Sequence, residues 1–584
     1  MADRLPPPST QSPSPTQSPS PTQSPSSTQS PSSSRIAGAV IVGGIGSLLA
    51  AALLAYFAYA ATVVDVPDYG GTYIEGTIGP PVTLVPMLAQ DDTARTISAL
   101  IFNGLTRFSA DGTIVPDLAT RWEIDPQSRS YIFHLRQDVH WHDGTPLTVD
   151  DVLFTYDLLT SPERNDPIWR NVRAEREGDW SVRIFLQNNV YIPLLEYVTI
   201  GILPRHRLGE VGADQIIFSP FNLEPVGTGP YRVEEVAEDF VLLRANEDYF
   251  GGSPHIRYLK FKFYPNAKAI ITALERGEVE GVSYLPSSEI DRVREITDVE
   301  VYSTPLAGHT VLYFNLHRST FFDRAIRRAI AHAVNREDLA DEAQRDMADP
   351  LESPIMPTSW AYTADVRRYA YDPARSRALL EQTGWTMGLD GVRVKGDARL
   401  SLTLLTTDLP GQSELAEMIA VQLREVGFEI EVQVNGPSVL LNDFMRTHNF
   451  DMALYTWLLN GLDPDPYVTW HSSQIESGWN FSGFIVPRVD EALQNARNTL
   501  DQNERKQMYA DFQRAFAEEV PSLMLLSPRY SFAVRTTVRN VTVPTVLPTV
   551  GSRLSEVGSW YIKTKKNVLN VRGPLEGWRL PFFS

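Results

Sequence analysis

In residues 400–434 the spacing of apolar residues changes twice along the chain. Alternate leucines in Leu400–Leu404 predict a half-buried strand, and the alternation returns in Phe428–Val434. The stretch between them has apolar residues at helical spacing, with Ser413 as the predicted N-cap and Gly427 as the stop. A strand, a helix and a second strand in this order predict a parallel strand pair in an α/β lobe.

Apolar stripes at helical spacing predict two further helices. One follows Asp323, and the other begins at Asp372-Pro373 and ends at Gly384. The arginines in and after the first helix are predicted to form a solvated face. They are Arg324, Arg327, Arg328 and Arg336.

The alternating residues Tyr131, Phe133 and Leu135 predict a strand in the earlier part of the chain. Asp143-Gly144 then predicts a turn, and Thr148 is the predicted cap of a helix. Further on, residues 225–233 (PVGTGPYRV) lack the glycine spacing and the lysine of a phosphate-binding loop. They predict a tight turn before a strand.

The N-terminal region is of a different kind. Residues 1–35 are rich in proline, serine, threonine and glutamine and predict a disordered tail. The uncharged stretch Ile36–Ala61 is long enough, at about 1.5 Å per residue, to cross a bilayer as a helix. Arg35 before it and Asp65 after it favour a cytoplasmic N-terminus with the rest of the chain outside.

Two alternatives to a transmembrane anchor are a cleaved signal peptide and a buried core helix. The stretch is longer than a typical signal-peptide core and follows an unusual 35-residue leader, which favours the anchor. Either as an anchor or as a signal peptide, it places the globular part on the extracytoplasmic side. We therefore expect a single-pass protein of the cell membrane.

The composition of the chain argues against several classes of function. The formal net charge of −19 argues against nucleic-acid binding, which needs a basic surface. The absence of cysteine excludes disulfides, thiolate metal sites and a lipidated cysteine. Hydrophobic residues make up 43% of the chain and aromatic residues 10%, so most of it is expected to fold.

Seven ordered segments resemble the extracellular solute-binding proteins that serve peptide and nickel ABC importers. Their order and spacing match that family across about residues 68–560. The segments are Val115–Leu159, Pro225–Val233, Leu242–Pro254, Ala273–Val282, Leu312–Leu339, Tyr369–Trp385 and Phe481–Arg497.

The resemblance implies an α/β, two-lobed, periplasmic-binding-protein-like fold with an inserted third subdomain. Lobe I would comprise residues 65–91, 190–305 and 531–584. The inserted subdomain would comprise residues 92–189, and lobe II residues 306–530. In this family a ligand lies in the cleft between the lobes, which close around it.

His140 and His142 lie at alternate positions and so could share a metal ion. No third ligand is apparent nearby, and in the resembled family this segment is a structural hairpin. We therefore expect no metal site and no cofactor.

The resemblance also implies ligand-binding residues in lobe II. In the family, an aspartate three positions after a tryptophan binds the α-ammonium group of a peptide. Here the tryptophan is Trp457, but the third position is Asn460, which keeps an acceptor oxygen and loses the charge. Asp463 and Asp465 lie just beyond and either compensate or form a rigid acidic turn with the neighbouring prolines.

Tyr313 and Asn315 resemble the family's crossover strand into lobe II. Asn315 either binds the ligand backbone or fixes the hinge, and Trp457 either contacts the ligand or belongs to the core.

These residues and the resemblance predict a binding protein without catalysis, which captures oligopeptides and delivers them to the permease subunits of an ABC importer. Because Asn460 stands where the family has an aspartate, the alternative is that the protein binds another solute, either an oligosaccharide or a metal chelate. A surface sensor on the same scaffold, without a permease, is the third possibility.

Overall fold

The computed structural model describes residues 47–568, apart from residues 58, 60–62, 126, 128, 163–168, 170–171, 187–192, 344–346 and 460. The predicted disordered tail, residues 1–35, therefore lies outside the described residues. The contacts of the chain divide it into two units, one of residues 1–66 and 566–584 and one of residues 67–565. The fold below is that of the second unit.

Of the predicted transmembrane segment Ile36–Ala61, the structure describes residues 47–57, which are helical, and Tyr59. Within the described part of the chain, no helix has both the length and the apolar character needed to span a bilayer. The rest of the segment lies outside that part.

Twenty-three strands lie in the described residues. They are β1 Val63–Asp68, β2 Thr72–Ile78, β3 Thr106–Phe108, β4 Ile114–Pro116, β5 Ala119–Asp125, β6 Ser130–Leu135, β7 Val172–Gly178, β8 Ser181–Leu186, β9 Tyr231–Val236, β10 Phe240–Ala245, β11 Tyr258–Tyr264, β12 Gly281–Val282, β13 Val299–Pro305, β14 Gly308–Phe314, β15 Ala348–Pro350, β16 Thr386–Met387, β17 Arg393–Lys395, β18 Ala398–Arg399, β19 Ser401–Thr407, β20 Glu429–Asn435, β21 Met452–Leu458, β22 Ser522–Arg535 and β23 Lys563–Val568.

The longer α-helices of the described residues are Asp92–Ile101, Val149–Leu159, Ala267–Glu275, Ser287–Arg294, Arg324–Ala333, Pro373–Gln382, Gln412–Glu425, Pro487–Asn498 and Gln502–Glu519. The shorter ones are Leu194–Tyr197, Arg205–Leu208, Arg336–Asp338, Pro437–Val439 and Tyr467–Trp470.

One mixed sheet runs through most of the unit, in the order β20-β19-β21-β14-β22-β12-β2-β11-β10-β9, with β13 and β15 also paired to β22. The long strand β22 serves both halves of this sheet, because Ser522–Leu526 pairs with β14 and Arg529–Arg535 pairs with β13. The chain thus passes between the two halves at two adjacent places: along β22 and at the β13–β14 link.

Strand β14 is buried along its whole length, and its alternate side chains enter two different cores. Leu312 and Phe314 pack in a core with the helices Arg324–Ala333 and Gln412–Glu425, whereas Val311 and Tyr313 pack in a core with the helix Gln502–Glu519. Helices therefore cover both faces of the sheet here, as expected in an α/β fold.

A separate four-stranded antiparallel sheet has the order β5-β6-β8-β7. Its core draws on residues from Leu105 to Ile202 and contains Tyr131, Phe133 and Trp141. The helix Asp92–Ile101 instead contributes to the core that contains β10 and β11. The bounds of lobe I, the inserted subdomain and lobe II stay predictions.

The predicted local elements can be compared directly with the structure. Strands β19 and β20 pair in parallel on either side of the helix Gln412–Glu425, as predicted. The predicted N-cap is wrong: the cap is Gly411, whose φ of 79° reverses the chain, and Ser413 lies in the first turn. Gly427 follows the helix with a φ of 100°, as the predicted stop requires.

The predicted solvated face of arginines is wrong for Arg327 and Arg336, which are only 5% and 6% exposed. Arg327 donates hydrogen bonds to the carbonyls of Glu519 and Val520, and Arg336 donates to the carbonyl of Met524. The physical reason for Arg327 is that the last carbonyls of the helix Gln502–Glu519 have no partner within that helix, and for Arg336 it is that a buried carbonyl of β22 needs a donor.

Candidate functional site

A cavity of about 140 Å³ lies beside the loop that follows β21. Its walls are largely apolar, with a few polar groups, as is usual for small-molecule sites. The apolar lining includes Pro193, Ile355, Met356, Leu459, Leu462, Trp470 and Trp479, and the acidic and histidine residues in the lining are Glu196, His309, Asp463 and Asp465.

Two arginines hold the loop over the cavity. Arg505 donates two hydrogen bonds to the Asp463 carboxylate, at 2.7 and 2.9 Å, and lies 4.9 Å from the centre of the Trp360 ring. Burial alone lowers the pKa of Arg505, but the hydrogen bonds and charge of Asp463 raise it, so the guanidinium stays charged. Arg497 pairs in the same way with Asp465. Both carboxylates of the loop are therefore neutralised within the protein.

Glu196 reaches this loop from the short helix Leu194–Tyr197. Its Oε1 accepts hydrogen bonds from the backbone N–H groups of Leu462 and Asp463, at 2.9 and 2.8 Å. A Cβ at Gly461 would lie 1.8 Å from Oε2, so a side chain at this position would displace the Glu196 carboxyl group. Burial and then the charge of Asp463 raise the pKa of Glu196 to about 8, against the lowering effect of the two N–H groups.

His309 lies on β14 and is 7% exposed. Burial lowers the pKa of its imidazole to about 4, so the ring is neutral at physiological pH. Its neighbours on the strand, Gly308 and Thr310, pair with Leu458 and Thr456 of β21. The cavity thus has a neutral imidazole on one wall and the Glu196 carboxyl group on another.

A second cavity, of about 430 Å³, shares Glu196 and Tyr197 with the first. Asn103, Arg107 and Asp117 also line it. The helix Leu194–Tyr197 therefore contributes to the walls of both cavities.

Four of the six sequence-predicted residues lie in the wall of the cavity or beside it. Asp463 and Asp465 line the cavity. Trp457 and Tyr313 lie beside it and contact each other, because the Trp457 indole N–H donates to the Tyr313 hydroxyl at 2.9 Å. Trp457 also stacks on the cavity-lining Trp479, with ring centres 5.2 Å apart.

Asn315 uses its side chain within the protein. Its Nδ2 donates to the carbonyls of His448 and Phe450, at 2.8 and 2.7 Å, and its Oδ1 accepts from the N–H of His317. Asn460 lies outside the described residues. A ligand-binding role for all six sequence-predicted residues stays a prediction.

Sequence reasoning missed Glu196 and His309. Each carries a signal that could have been noticed: Glu196 is the one acidic residue in the apolar stretch Pro193–Val198, and His309 is the one histidine in the apolar stretch Leu306–Phe314. Burying a titratable group costs free energy unless a hydrogen bond or an opposite charge compensates it.

His142 has a structural role. Its Nδ1 accepts from the N–H of Gly227 at 3.2 Å, and its Nε2 donates to the carbonyl of Gly229 at 3.0 Å. The turn that it holds precedes β9, as predicted, and a Cβ at Gly227 would lie 1.9 Å from the Ile101 carbonyl. His140 is exposed. In the part of the chain that the structure describes, no cluster of three or more acidic and histidine side chains could hold a metal ion.

The sequence profile of the bacterial extracellular solute-binding proteins, family 5 Middle, matches residues 113–479. The chain therefore belongs to the family 5 extracellular solute-binding proteins, and the resemblance found in the sequence is confirmed. The fold is accordingly the mixed α/β fold of periplasmic binding proteins.

Among curated relatives, the oligopeptide-binding protein AppA of Bacillus subtilis (strain 168) is 26% identical over 483 residues, which is 80% of this chain and 88% of AppA. The dipeptide-binding protein of Escherichia coli (strain K12) is 23% identical over 497 residues, or 80% of this chain and 91% of its own.

Among solved structures, NikZ from Campylobacter jejuni in complex with Ni(L-His) has a TM-score of 0.70 and 26% identity, covering 84% of this chain and 99% of NikZ. AppA of Bacillus subtilis in complex with a nonapeptide has a TM-score of 0.69 and 24% identity, covering 85% of this chain and 100% of that structure. The likeness to the second shows the shared fold alone.

Proposed function

We propose that the chain is the solute-binding component of an ABC importer and that it captures oligopeptides in the cleft at β14 and the loop after β21. The cleft closes on the ligand, and the closed form docks on permease subunits. The protein binds its solute without chemical turnover.

The observation that carries this proposal is the cavity lined by the loop Gly461–Pro466 and by Glu196, which is hydrogen-bonded to that loop. It combines tryptophan and proline surfaces, which suit side chains of varied shape, with few polar groups that can fix a peptide backbone. The second cavity, which shares the lining residues Glu196 and Tyr197, is larger, with a volume of about 430 Å³. The names of AppA and of the dipeptide-binding protein agree with a peptide ligand.

We further propose that Ile36–Ala61 anchors the protein in the cell membrane, with the solute-binding part on the extracytoplasmic side. Its uncharged length supports this location, and the extracellular character of the family agrees with it.

A thermal-shift screen of the full-length protein in detergent tests the peptide assignment. We expect a pool of tripeptides to raise the melting temperature, because a ligand that binds only the folded state stabilises it by mass action. Maltooligosaccharides serve as the comparison. A shift with the sugars and none with the peptides would contradict the peptide proposal.

A metal chelate is the second candidate, and His309 favours it. A neutral imidazole in the cavity can act as a metal ligand. The structure of NikZ with Ni(L-His) offers a suitable probe. A shift with nickel and L-histidine together, absent with either alone, would replace the peptide assignment.

A further inference from the structure

The contact between Glu196 and the loop Gly461–Pro466 joins two separate hydrophobic cores. The helix that carries Glu196 packs through Leu194 in the core of the sheet β5-β6-β8-β7. The loop is fixed to the other core, because Arg505 pairs with Asp463 and lies on a helix that packs there together with part of β14. The first cavity has lining residues from both cores or beside them. A movement that opens this cavity by separating the two cores therefore breaks the Glu196 contact.

Both oxygens of the Glu196 carboxyl group take part in the contact. Oε1 accepts the backbone N–H groups of Leu462 and Asp463, and Oε2 packs so closely on Gly461 that a Cβ there would lie 1.8 Å away. The loop has a second contact on the same side, where a Cβ at Gly112 would lie 2.3 Å from Cδ1 of Leu462. Gly112 lies between β3 and β4. The start of the loop is therefore held at two places by the part of the chain that precedes β5.

The surroundings of Glu196 favour its uncharged form. The nearest cation, Arg505, already donates two hydrogen bonds to the Asp463 carboxylate. In the part of the chain that the structure describes, Glu196 is held by backbone N–H groups and by no ion pair. Burial and then the charge of Asp463 raise the pKa of Glu196 to about 8. Once separated from the loop, the carboxyl group returns towards its ordinary pKa of 4.5.

We infer that Glu196 is a positioning residue, which in its neutral, protonated form holds the loop Gly461–Pro466 over the first cavity, so that closing the cleft around a solute takes up a proton. Oε1 then acts as the carbonyl oxygen that accepts the two N–H groups of the loop. This inference rests on the proposed function, in which the cleft closes on its ligand, and it adds a control by pH: capture is favoured in mildly acidic surroundings and release in alkaline ones.

The sign of the pH dependence follows from the two protonation states of Glu196. A pKa that is higher in the closed form than in the open form makes closure more favourable as the pH falls. Between the ordinary value of 4.5 and about 8, the closed form binds close to one proton more than the open form. The dissociation constant of the solute should therefore rise by up to about tenfold for each pH unit in this window.

The other charged or titratable groups of the first cavity and its loop differ from Glu196. The charged ones are Asp463, Asp465, Arg497 and Arg505, joined as two ion pairs. His309 on β14 is neutral above pH 6.5, because its ordinary pKa is 6.5 and burial lowers that pKa to about 4. A measurement above pH 6.5 therefore excludes a contribution from this imidazole.

The second cavity adds Arg95, Arg107 and Asp117. Asp117 titrates near neutral pH, because burial raises its pKa to about 7 although Asn103 donates to both of its oxygens. Replacing Glu196 leaves Asp117 in place. A pH dependence that came from Asp117 would therefore survive that replacement.

The test is calorimetric titration of the full-length protein in detergent with a pool of tripeptides at pH 6.5 and pH 7.5. For the natural protein we expect binding about five- to tenfold tighter at pH 6.5, and uptake of close to one proton at pH 7 in two buffers of different ionisation enthalpy. Glu196→Gln keeps an acceptor oxygen for the loop and does not titrate, so it should bind equally at both pH values without proton uptake. The matched control is Glu224→Gln, at an exposed site, which should keep the pH dependence.

Glu196→Ala removes the acceptor and should bind the pool roughly tenfold more weakly than Glu196→Gln at both pH values. A merely structural Glu196 would not make the difference between the natural protein and Glu196→Gln depend on pH. Binding by the natural protein that is independent of pH, or unchanged pH dependence and proton uptake in Glu196→Gln, would overturn the inference and leave the peptide proposal standing. Failure of the pool to bind at both pH values would overturn both.

Discussion

His142 shows how a single buried side chain fixes a turn. Both ring nitrogens are hydrogen-bonded to the backbone on either side of Thr228. The glycines of that turn pack against the end of the helix Asp92–Ile101, where no Cβ would fit. The imidazole therefore links the segment after β6 to the strand β9.

Replacing His142 by alanine should lower the free energy of unfolding by about 1–3 kcal/mol at pH 7.5, because two backbone groups lose their partner. His140→Ala, at an exposed position, should change it by less than about 0.5 kcal/mol. Urea denaturation followed by circular dichroism measures both. Equal effects of the two variants would contradict the structural role of His142.

The comparison of the natural protein with His142→Ala also predicts a pH dependence. Burial lowers the pKa of His142 to about 4 from its ordinary 6.5, so between these values the unfolded chain binds a proton that the folded protein does not. The stabilising contribution of His142 is complete above pH 6.5 and is lost as the pH falls towards 4. The difference in unfolding free energy between the natural protein and His142→Ala should shrink from pH 7.5 to pH 5.

The candidate site illustrates what single residues reveal before the structure is known. The sequence indicated that Asp463 and Asp465 lie near the ligand site, and their neighbours gave an acidic turn as the alternative. Their partners could not be predicted, because Arg505 and Arg497 come 42 and 32 residues later on different helices. Only the three-dimensional packing shows that these carboxylates are already paired, and that in the described part of the chain Glu196 is held by backbone N–H groups and not by an arginine.

At the scale of elements, the helix Arg324–Ala333 carries two neighbouring arginines that have different roles. Arg324 is half exposed and forms a surface ion pair with Glu519 at 2.9 Å. Arg327, one turn later, is buried and satisfies the carbonyls at the end of the helix Gln502–Glu519. Charge patterning alone does not distinguish them, since both belong to one run of basic residues.

We expect Arg327→Ala to lower the free energy of unfolding by roughly 2–4 kcal/mol, because several buried carbonyls lose their donor. Arg324→Ala should cost less than about 1 kcal/mol, as exposed ion pairs usually do. Urea denaturation of the two variants side by side measures the difference. A cost for Arg324→Ala as large as that for Arg327→Ala would contradict the assignment.

The strand–helix–strand unit of residues 400–435 was predictable because its pattern is local. Alternation sets the faces of β19 and β20, and Gly427 ends the helix between them. The start of that helix was not predicted correctly, since Gly411 and Ser413 compete within two positions. Only the backbone conformation at Gly411 decides between them.

At the scale of the whole molecule, a buried ion pair joins parts of the chain that are 478 positions apart. Arg553 donates to both oxygens of Glu75, at 2.8 and 2.6 Å, and the Tyr73 hydroxyl donates to the same carboxylate. Both charged side chains are 1% exposed. The pair thus ties β2 to the segment that follows β22.

Glu75→Gln and Arg553→Met should each lower the free energy of unfolding by about 3–5 kcal/mol, since each leaves a buried charge without its partner. The double variant should cost clearly less than the sum of the two, because no uncompensated charge remains. Urea denaturation of the natural protein, the two single variants and the double variant measures this coupling. Strict additivity would mean that the two groups are not coupled.

The order of the central sheet could not be derived from local patterns, because β22 pairs with both halves and β14 lies beside β21 and β22. The resemblance to a known family, and not periodicity, supplied the prediction of an α/β binding-protein fold. Local patterns identified the elements, and the long-range pairings that create the cavity came only with the structure.

A crystal structure of the protein with a tripeptide taken from the binding pool tests the central claim most directly. We predict density for the peptide in the first cavity, whose lining includes Glu196, His309 and the loop Gly461–Pro466. A peptide bound away from this cavity would contradict the account.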